Sequence, residues 1–159
     1  MKRSIISGCC AVAVILVSHV AIAGEDPKVT AEIIAITRAQ WAAEVQGKSI
    51  AEQVVSMADD YTEFNPDFPV RIDGKALNVS LYEAQERSGV KSLAGEMVNP
   101  KVQVYGDVAI LSYNYVGVNQ SKDGKTENGM AKSTRVYAKT GGKWQLVHAN
   151  FAPVMPPQN

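Results

Sequence analysis

From residue 93 onward, hydrophobic and polar positions alternate along the chain with a period of two. Runs rich in β-branched and aromatic residues with this period are typical of strands that bury one face. Turn-forming pairs interrupt the runs, because glycine accepts the positive φ angles of tight hairpins. These pairs are Gly106-Asp107, Asp123-Gly124 and Gly141-Gly142. The pattern predicts four long antiparallel strands, over residues 93–105, 107–120, 126–140 and 143–152.

Before residue 90 the spacing of apolar residues is that of amphipathic helices. The first predicted helix covers residues 30–46, and the third covers residues 75–88. Between them, Ser49 and Glu52 form a capping box that opens a short second helix over residues 49–57. The residues predicted to face inward are Ile33, Ile34, Trp41 and Val45 in the first helix, and Leu77, Leu81, Tyr82 and Ala84 in the third.

Helices followed by a run of long strands predict the α+β class. A further short strand is expected over residues 60–64, and Pro66 closes it. We therefore expect about three N-terminal helices packed on a curved, mainly antiparallel sheet. Such a sheet buries one face against the helices and leaves a cavity at its open end.

Residues 1–23 have the pattern of a cleavable signal peptide. Lys2 and Arg3 precede an apolar run that ends in Ala21-Ile22-Ala23, a small-x-small sequence of the kind that signal peptidase accepts. The run is shorter than the roughly 20 apolar residues that a membrane-spanning helix needs. We expect cleavage after Ala23, a single domain over residues 24–159, a periplasmic or secreted location, and no membrane attachment after cleavage.

Composition narrows the classes of function. The chain has 16 basic and 16 acidic residues, and removal of Lys2 and Arg3 leaves 14 against 16, a net charge of −2. Without a basic excess, no nucleic-acid partner is expected. Cys9 and Cys10 both lie in the predicted signal peptide, and His148 is the only histidine after it. Neither a metal site nor a cofactor is expected, since zinc needs three or four such ligands.

The second half of the chain resembles a known family. Residues 96–152 are similar to the association (hub) domain of calcium/calmodulin-dependent protein kinase II and its bacterial relatives in the nuclear-transport-factor-2-like superfamily. The similar stretches are Met97-Val98-Asn99-Pro100-Lys101-Val102, Thr134-Arg135-Val136-Tyr137 and Gly142-Lys143-Trp144-Gln145-Leu146-Val147-His148, with Thr62-Glu63-Phe64-Asn65-Pro66 and Asp73-Gly74 upstream in matching order. The resemblance implies a cone-shaped, cystatin-like fold around one pocket. The superfamily also contains ketosteroid isomerase, scytalone dehydratase and SnoaL-like polyketide cyclases, so the fold alone does not give the chemistry.

Arg135 is the first candidate site residue. In the hub domain, the arginine of the matching Thr-Arg-Val motif points into the pocket and pairs with carboxylates. A guanidinium on an inner face needs such a partner, because an unpaired buried charge is costly. The alternative is an internal ion pair with Glu63, Glu83 or Glu96. The chain departs from the family at Tyr115, which matches a position where the family's pocket has a further arginine.

The other candidate ligand-binding residues are Tyr113, Tyr115, Tyr137, His148 and Asn150, and the candidate catalytic residues are His148 and Asp60. Strand alternation is expected to place His148 on the same face as Leu146 and Asn150. An imidazole or a carboxylate with a raised pKa can move protons, and a tyrosine hydroxyl can stabilise an enolate. The alternatives are a hydrogen-bonded strand histidine, a solvated aspartate and ordinary packing of the tyrosines.

Three functional hypotheses remain open at this stage. The first is an exported pocket protein that binds a small organic molecule, including one that carries a carboxylate. The second is a cofactor-independent isomerase, cyclase or dehydratase that works by proton transfer. The third is a homo-oligomeric assembly module, either a homodimer or a larger ring, because the outer face of such a sheet often forms the dimer interface.

Overall fold

A computed structural model describes residue 24 and residues 26–154. The predicted signal peptide, residues 1–23, lies outside the described residues. The elements in chain order are α1 Pro27–Val45, α2 Ile50–Gln53, β1 Met57–Phe64, β2 Ile72–Asp73, α3 Lys75–Ser88, β3 Lys91–Tyr105, β4 Val108–Gln120, β5 Thr126–Thr140 and β6 Lys143–Pro153.

The strands form one six-stranded sheet in the order β2-β1-β6-β5-β4-β3. All neighbouring strands are antiparallel except β1 and β6, which run parallel. The helices pack on one face, here called the inner face, and the opposite face is called the outer face. The predicted α+β class and nuclear-transport-factor-2-like fold are confirmed, and the sheet does not close into a barrel.

Helix α1 begins three residues before the predicted start. Asp26 caps it, since its carboxylate accepts hydrogen bonds from the backbone nitrogens of Lys28 at 2.9 Å and Val29 at 3.1 Å. Ile33 and Trp41 are buried as expected. Val45 is 40% exposed, so its predicted inward position is wrong. It is the last residue of the helix.

Helix α2 is shorter than predicted. The capping box is present, because the Glu52 carboxylate accepts hydrogen bonds from the backbone nitrogen of Ser49 at 3.2 Å and from its hydroxyl at 2.7 Å. The helix nevertheless ends at Gln53, and Met57 already belongs to β1. The short α2 brings the end of α1 close to the start of the sheet.

Helix α3 has the predicted bounds, but it turns a different face to the sheet. It ends at Gly89, whose φ of 83° is the left-handed conformation that favours glycine at a helix end. Leu77 is 47% exposed and Ala84 is exposed, so their predicted inward positions are wrong. The buried residue of the helix is Asn78, whose side-chain nitrogen donates to Glu63 at 3.1 Å. This polar contact with β1 fixes the rotation of α3.

Within the part of the chain that the structure describes, no helix combines the length and the apolar character needed to cross a membrane.

Candidate functional site

Arg135 lies on the inner face of the sheet. The register pairs Arg135 of β5 with Leu111 of β4 and with Ala149 of β6, and both of these neighbours are fully buried. Residues that pair directly across strands share a face. Arg135 itself is only 4% exposed. The inward orientation implied by the resemblance is therefore what the structure has.

Neutral groups hold the guanidinium of Arg135. Its Nε donates to the Tyr113 hydroxyl at 2.9 Å, and its Nη1 donates to the Gln40 side-chain oxygen at 2.7 Å. The guanidinium carbon lies 5.8 Å from the Trp41 ring centroid and 5.6 Å from that of Phe151, within the range of cation–π attraction. Arg135 thus joins α1 to three strands of the sheet.

The alternative ion pairs for Arg135 do not form. Among the described residues, no carboxylate makes an ion pair with it. Glu96 pairs instead with Arg38 at 3.2 Å, and Glu83 pairs with Arg87 at 3.8 Å.

Glu63 is a buried carboxylate that sequence reasoning did not choose as a site residue. It is 2% exposed and accepts hydrogen bonds from the Tyr61 hydroxyl at 2.7 Å, from Asn65 at 2.9 Å and from Asn78 at 3.1 Å. Burial and the Glu63 charge raise the pKa of Tyr61 well above its ordinary value, so the phenol remains a donor. Three donors satisfy most of this carboxylate's acceptor capacity. Strand alternation, which puts Tyr61 and Glu63 on one face, was the signal available in the sequence.

The three tyrosines predicted to bind a ligand make different contacts in the structure. The Tyr137 hydroxyl lies 2.7 Å from the Thr37 hydroxyl, and both residues are fully buried, so this contact fastens α1 to β5. Tyr113 is the partner of Arg135. Tyr115 is half-buried, with its ring centroid 5.4 Å from that of Trp41, and burial raises its pKa. All three lie on the inner face and contribute to its packing.

His148 and Asn150 lie on the outer face. The register between β5 and β6 shifts, so Val136 pairs with His148 while the next residue, Tyr137, pairs with Leu146. The extra residue reverses the alternation of β6. The predicted alignment of His148 with Leu146 is therefore wrong. His148 Nδ1 lies 2.8 Å from the Thr62 hydroxyl, and the register puts Asn150 beside Phe64 on that face.

Asp60 does not face the interior. Both Asp59 and Asp60 are exposed, at the point where the pairing of β1 with β6 shifts between Met57 and Thr62. Neither of the two predicted catalytic residues therefore lies beside Arg135.

A cavity of about 410 Å³ lies between the end of α1, α2, α3 and the start of β3. None of the predicted site residues lines it. The lining residues are Glu44, Val45, Gln46, Gly47, Ile50, Gln53, Tyr82, Gln85, Glu86, Gly89, Val90, Lys91, Ser92 and Leu93. A second hollow, of about 380 Å³, has Tyr113 and Asn150 among its lining residues.

Among the residues that line the cavity, Glu44 and Tyr82 are titratable groups whose pKa values are shifted. Burial raises the pKa of Glu44, and the Arg135 charge partly opposes this rise. Burial and the charge of Glu63 also raise the pKa of Tyr82, so its hydroxyl stays protonated at neutral pH. Sequence reasoning placed Tyr82 inward but gave it no function. It missed Glu44, because the cavity forms only where three helices pack against the start of β3. Over the described residues, no group of three metal-ligating side chains comes together.

The sequence profile of the calcium/calmodulin dependent protein kinase II association domain matches residues 29–154. This match covers nearly all of the described chain. The chain belongs to this family. Among curated proteins, none matches the chain.

Solved structures give the same fold. A nuclear-transport-factor-2-like superfamily protein from Salmonella enterica has a TM-score of 0.70 at 14% identity. The aligned region covers 83% of this chain and 95% of the Salmonella protein. The association domain of the C. elegans kinase has a TM-score of 0.63 at 19% identity, with coverages of 79% and 96%. A protein of unknown function from Pseudomonas putida has a TM-score of 0.66 at 20% identity, with coverages of 81% and 89%. At these identities the similarity shows the fold alone.

Proposed function

We propose that this member of the association-domain family is an exported pocket protein that binds a small organic molecule in the cavity between its helices and β3. The observation that carries the proposal is the cavity itself. Its volume of about 410 Å³ lies within the roughly 300–1,000 Å³ of typical ligand sites. Apolar side chains such as Ile50, Val90 and Leu93 line it together with a few polar groups. That mixture is the usual form of a small-molecule site.

Arg135 supports this site without lining it. Gln40 and Trp41, which contact the guanidinium, precede Glu44 by four and three residues on α1 and share its helix face. The buried cation thus helps to hold the end of α1 in place. A ligand that carries a carboxylate is favoured less by this geometry, because two neutral partners already occupy the guanidinium.

The proposed export depends on residues 1–23. Their charged start, apolar run and small-residue ending support removal by signal peptidase. Expression of the full chain in a Gram-negative host tests this, with mass spectrometry of the periplasmic fraction. We expect a chain that starts at Gly24. A full-length chain that remains in the cytoplasm contradicts the proposal.

Native mass spectrometry tests the binding proposal. Protein purified without unfolding should carry a small molecule that is lost on denaturation. In Ser92→Trp a large ring fills the cavity, and this variant should carry none. Thr140→Trp, exposed near the end of β5, is the matched control and should carry as much as the parent. A parent without bound mass, or a Ser92→Trp variant that retains it, contradicts the assignment.

A second candidate function is homo-oligomeric assembly through the outer face of the sheet. Glu96 pairs with Val116 and Val116 pairs with Met130 across β3, β4 and β5, on the face opposite Arg135. Val116 is 38% exposed and Met130 is 56% exposed. Arg38 of α1 reaches the edge of this face at Glu96, whereas Val116 and Met130 stay exposed beside it. Adjacent exposed apolar residues on a sheet face favour contact with another protein surface.

The similar C. elegans structure is named an association domain, which supports a second copy of this chain as the partner. Light scattering during gel filtration tests this. We expect a dimer or a larger homo-oligomer for the parent and a monomer for Met130→Lys. Val55→Lys, which changes a 77% exposed valine outside the sheet, should leave the assembly unchanged. A monomeric parent, or assembly that is insensitive to Met130→Lys, contradicts this candidate.

A further inference from the structure

Glu44 presents a carboxylate to the cavity without a protein partner. It lies in the last turn of α1, is partly buried and lines the wall. Within residues 26–154 its side chain makes no hydrogen bond and no ion pair. Glu63, the other carboxylate behind this region, accepts three hydrogen bonds. The Glu44 oxygens are not enclosed by protein, so they are free to accept hydrogen bonds from a ligand in the cavity.

The charged residues that line the cavity are predominantly negative. Glu44 and Glu86 are the acidic lining residues, and Lys91 is the basic one, so their sum is −1 when all are ionised. Arg135 and Glu63 are buried and do not line the cavity, and the Arg135 charge partly opposes the rise that burial causes in the pKa of Glu44. The charge of −1 is therefore that of the lining residues alone. A cation in the cavity would neutralise this net charge of −1, whereas an anion would raise the total to −2.

The rest of the wall suits a cation attached to an apolar body. Tyr82 lines the cavity, and aromatic rings attract ammonium groups. Ile50, Val90 and Leu93 supply apolar surface for the remainder of a ligand. From these observations we propose that the cavity binds a small molecule with a protonated amine and that the Glu44 carboxylate receives that amine. This inference rests on the proposed ligand-binding function.

Three compounds of nearly the same size and shape test the proposal. They are 2-phenylethylamine, 2-phenylethanol and phenylacetate, which carry a cationic, a neutral and an anionic group on the same ring. Each is titrated into the full chain at about neutral pH, with NMR shifts as the readout. A hydrogen bond to a charged group is worth about 1.5–3 kcal/mol. This corresponds to about a tenfold or larger preference for the amine over the alcohol.

The variant Glu44→Gln keeps the shape of the side chain and removes its charge. We expect it to lose the preference for the amine and to bind 2-phenylethanol as the parent does. Glu32→Gln, exposed on the same helix, is the matched control and should keep the full preference.

The outcomes separate the two proposals. If 2-phenylethanol or phenylacetate binds the parent as tightly as the amine, or if Glu44→Gln keeps the preference, the amine inference is wrong and the pocket proposal survives. If none of the three binds and the purified protein carries no small molecule, both proposals are wrong.

Discussion

Replacing Arg135 with methionine removes the guanidinium while keeping an unbranched side chain in the core. The structure gives the guanidinium two short hydrogen bonds, to Tyr113 at 2.9 Å and to Gln40 at 2.7 Å. The substitution therefore leaves a buried hydroxyl and a buried amide oxygen without their donor. If Arg135 holds α1 on the sheet, as we argue, the folded state should lose much of its stability.

The size of the loss follows from opposing contributions. Each hydrogen bond to a charged group is worth about 1.5–3 kcal/mol, so the two together contribute about 3–6 kcal/mol. Cation–π contact with Trp41 and Phe151 adds about 0.5–2 kcal/mol. Removing the cation also removes the cost of burying it, which offsets part of this sum. We expect Arg135→Met to lower the free energy of unfolding by about 2–5 kcal/mol, a large part of a typical 5–15 kcal/mol.

Urea unfolding of four proteins measures this effect: the parent, Arg135→Met, Tyr113→Phe and the double variant. The Tyr113 hydroxyl has Arg135 as its one partner in the described residues. The double variant should therefore be no less stable than Arg135→Met, with a coupling energy of about 1.5–3 kcal/mol. Arg38→Met removes an exposed ion pair with Glu96 and should cost at most about 1 kcal/mol. A structural role for Arg135 would be refuted if Arg135→Met were as stable as the parent. It would also be refuted if the losses of unfolding free energy in the two single variants simply added up in the double variant.

Three further predictions concern single positions. Thr37→Val leaves the buried Tyr137 hydroxyl without a partner and should cost about 1–3 kcal/mol in urea unfolding; no change there contradicts the contact as described. Gly89→Ala should cost about 1–2 kcal/mol by the same assay, because residue 89 has a φ of 83°, and a stabilised variant would show a different backbone. Burial raises the pKa of Glu44 above 4.5, so the folded state holds this proton more tightly than the unfolded state. Stability from this group is present below about pH 4.5 and is lost as the pH rises through the folded pKa. Glu44→Gln should thus unfold at a higher temperature than the parent near pH 7 and at the same temperature near pH 4. A difference in unfolding temperature that stays constant between these pH values contradicts the raised pKa of Glu44.

The sheet was predictable because its signals are local. Long alternating runs separated by glycine turns specify antiparallel hairpins without reference to the rest of the chain. The predicted strand 126–140 has the bounds of β5, and the other three long strands agree within two residues at each end. Strand β2, with two residues, is too short for a periodic pattern to reveal.

The residues at the candidate site were less predictable, because their positions depend on contacts between distant segments. Thr37 and Gln40 are polar residues of α1 that are buried only because Tyr137 and Arg135 meet them from β5. The pattern of apolar residues along α1 could not identify these two residues, because both are polar. His148 lies on the outer face because an extra residue in β6 reverses the alternation, and no residue type marks that shift. The resemblance to the hub domain gave the inward orientation of Arg135 but not its neutral partners.

The most direct test of the central claim is a crystal structure of the chain with 2-phenylethylamine. We predict the ring between Tyr82 and the apolar wall, with its nitrogen within hydrogen-bond distance of the Glu44 carboxylate. A cavity filled by protein side chains, or a ligand bound only on the outer face of the sheet, would contradict the account.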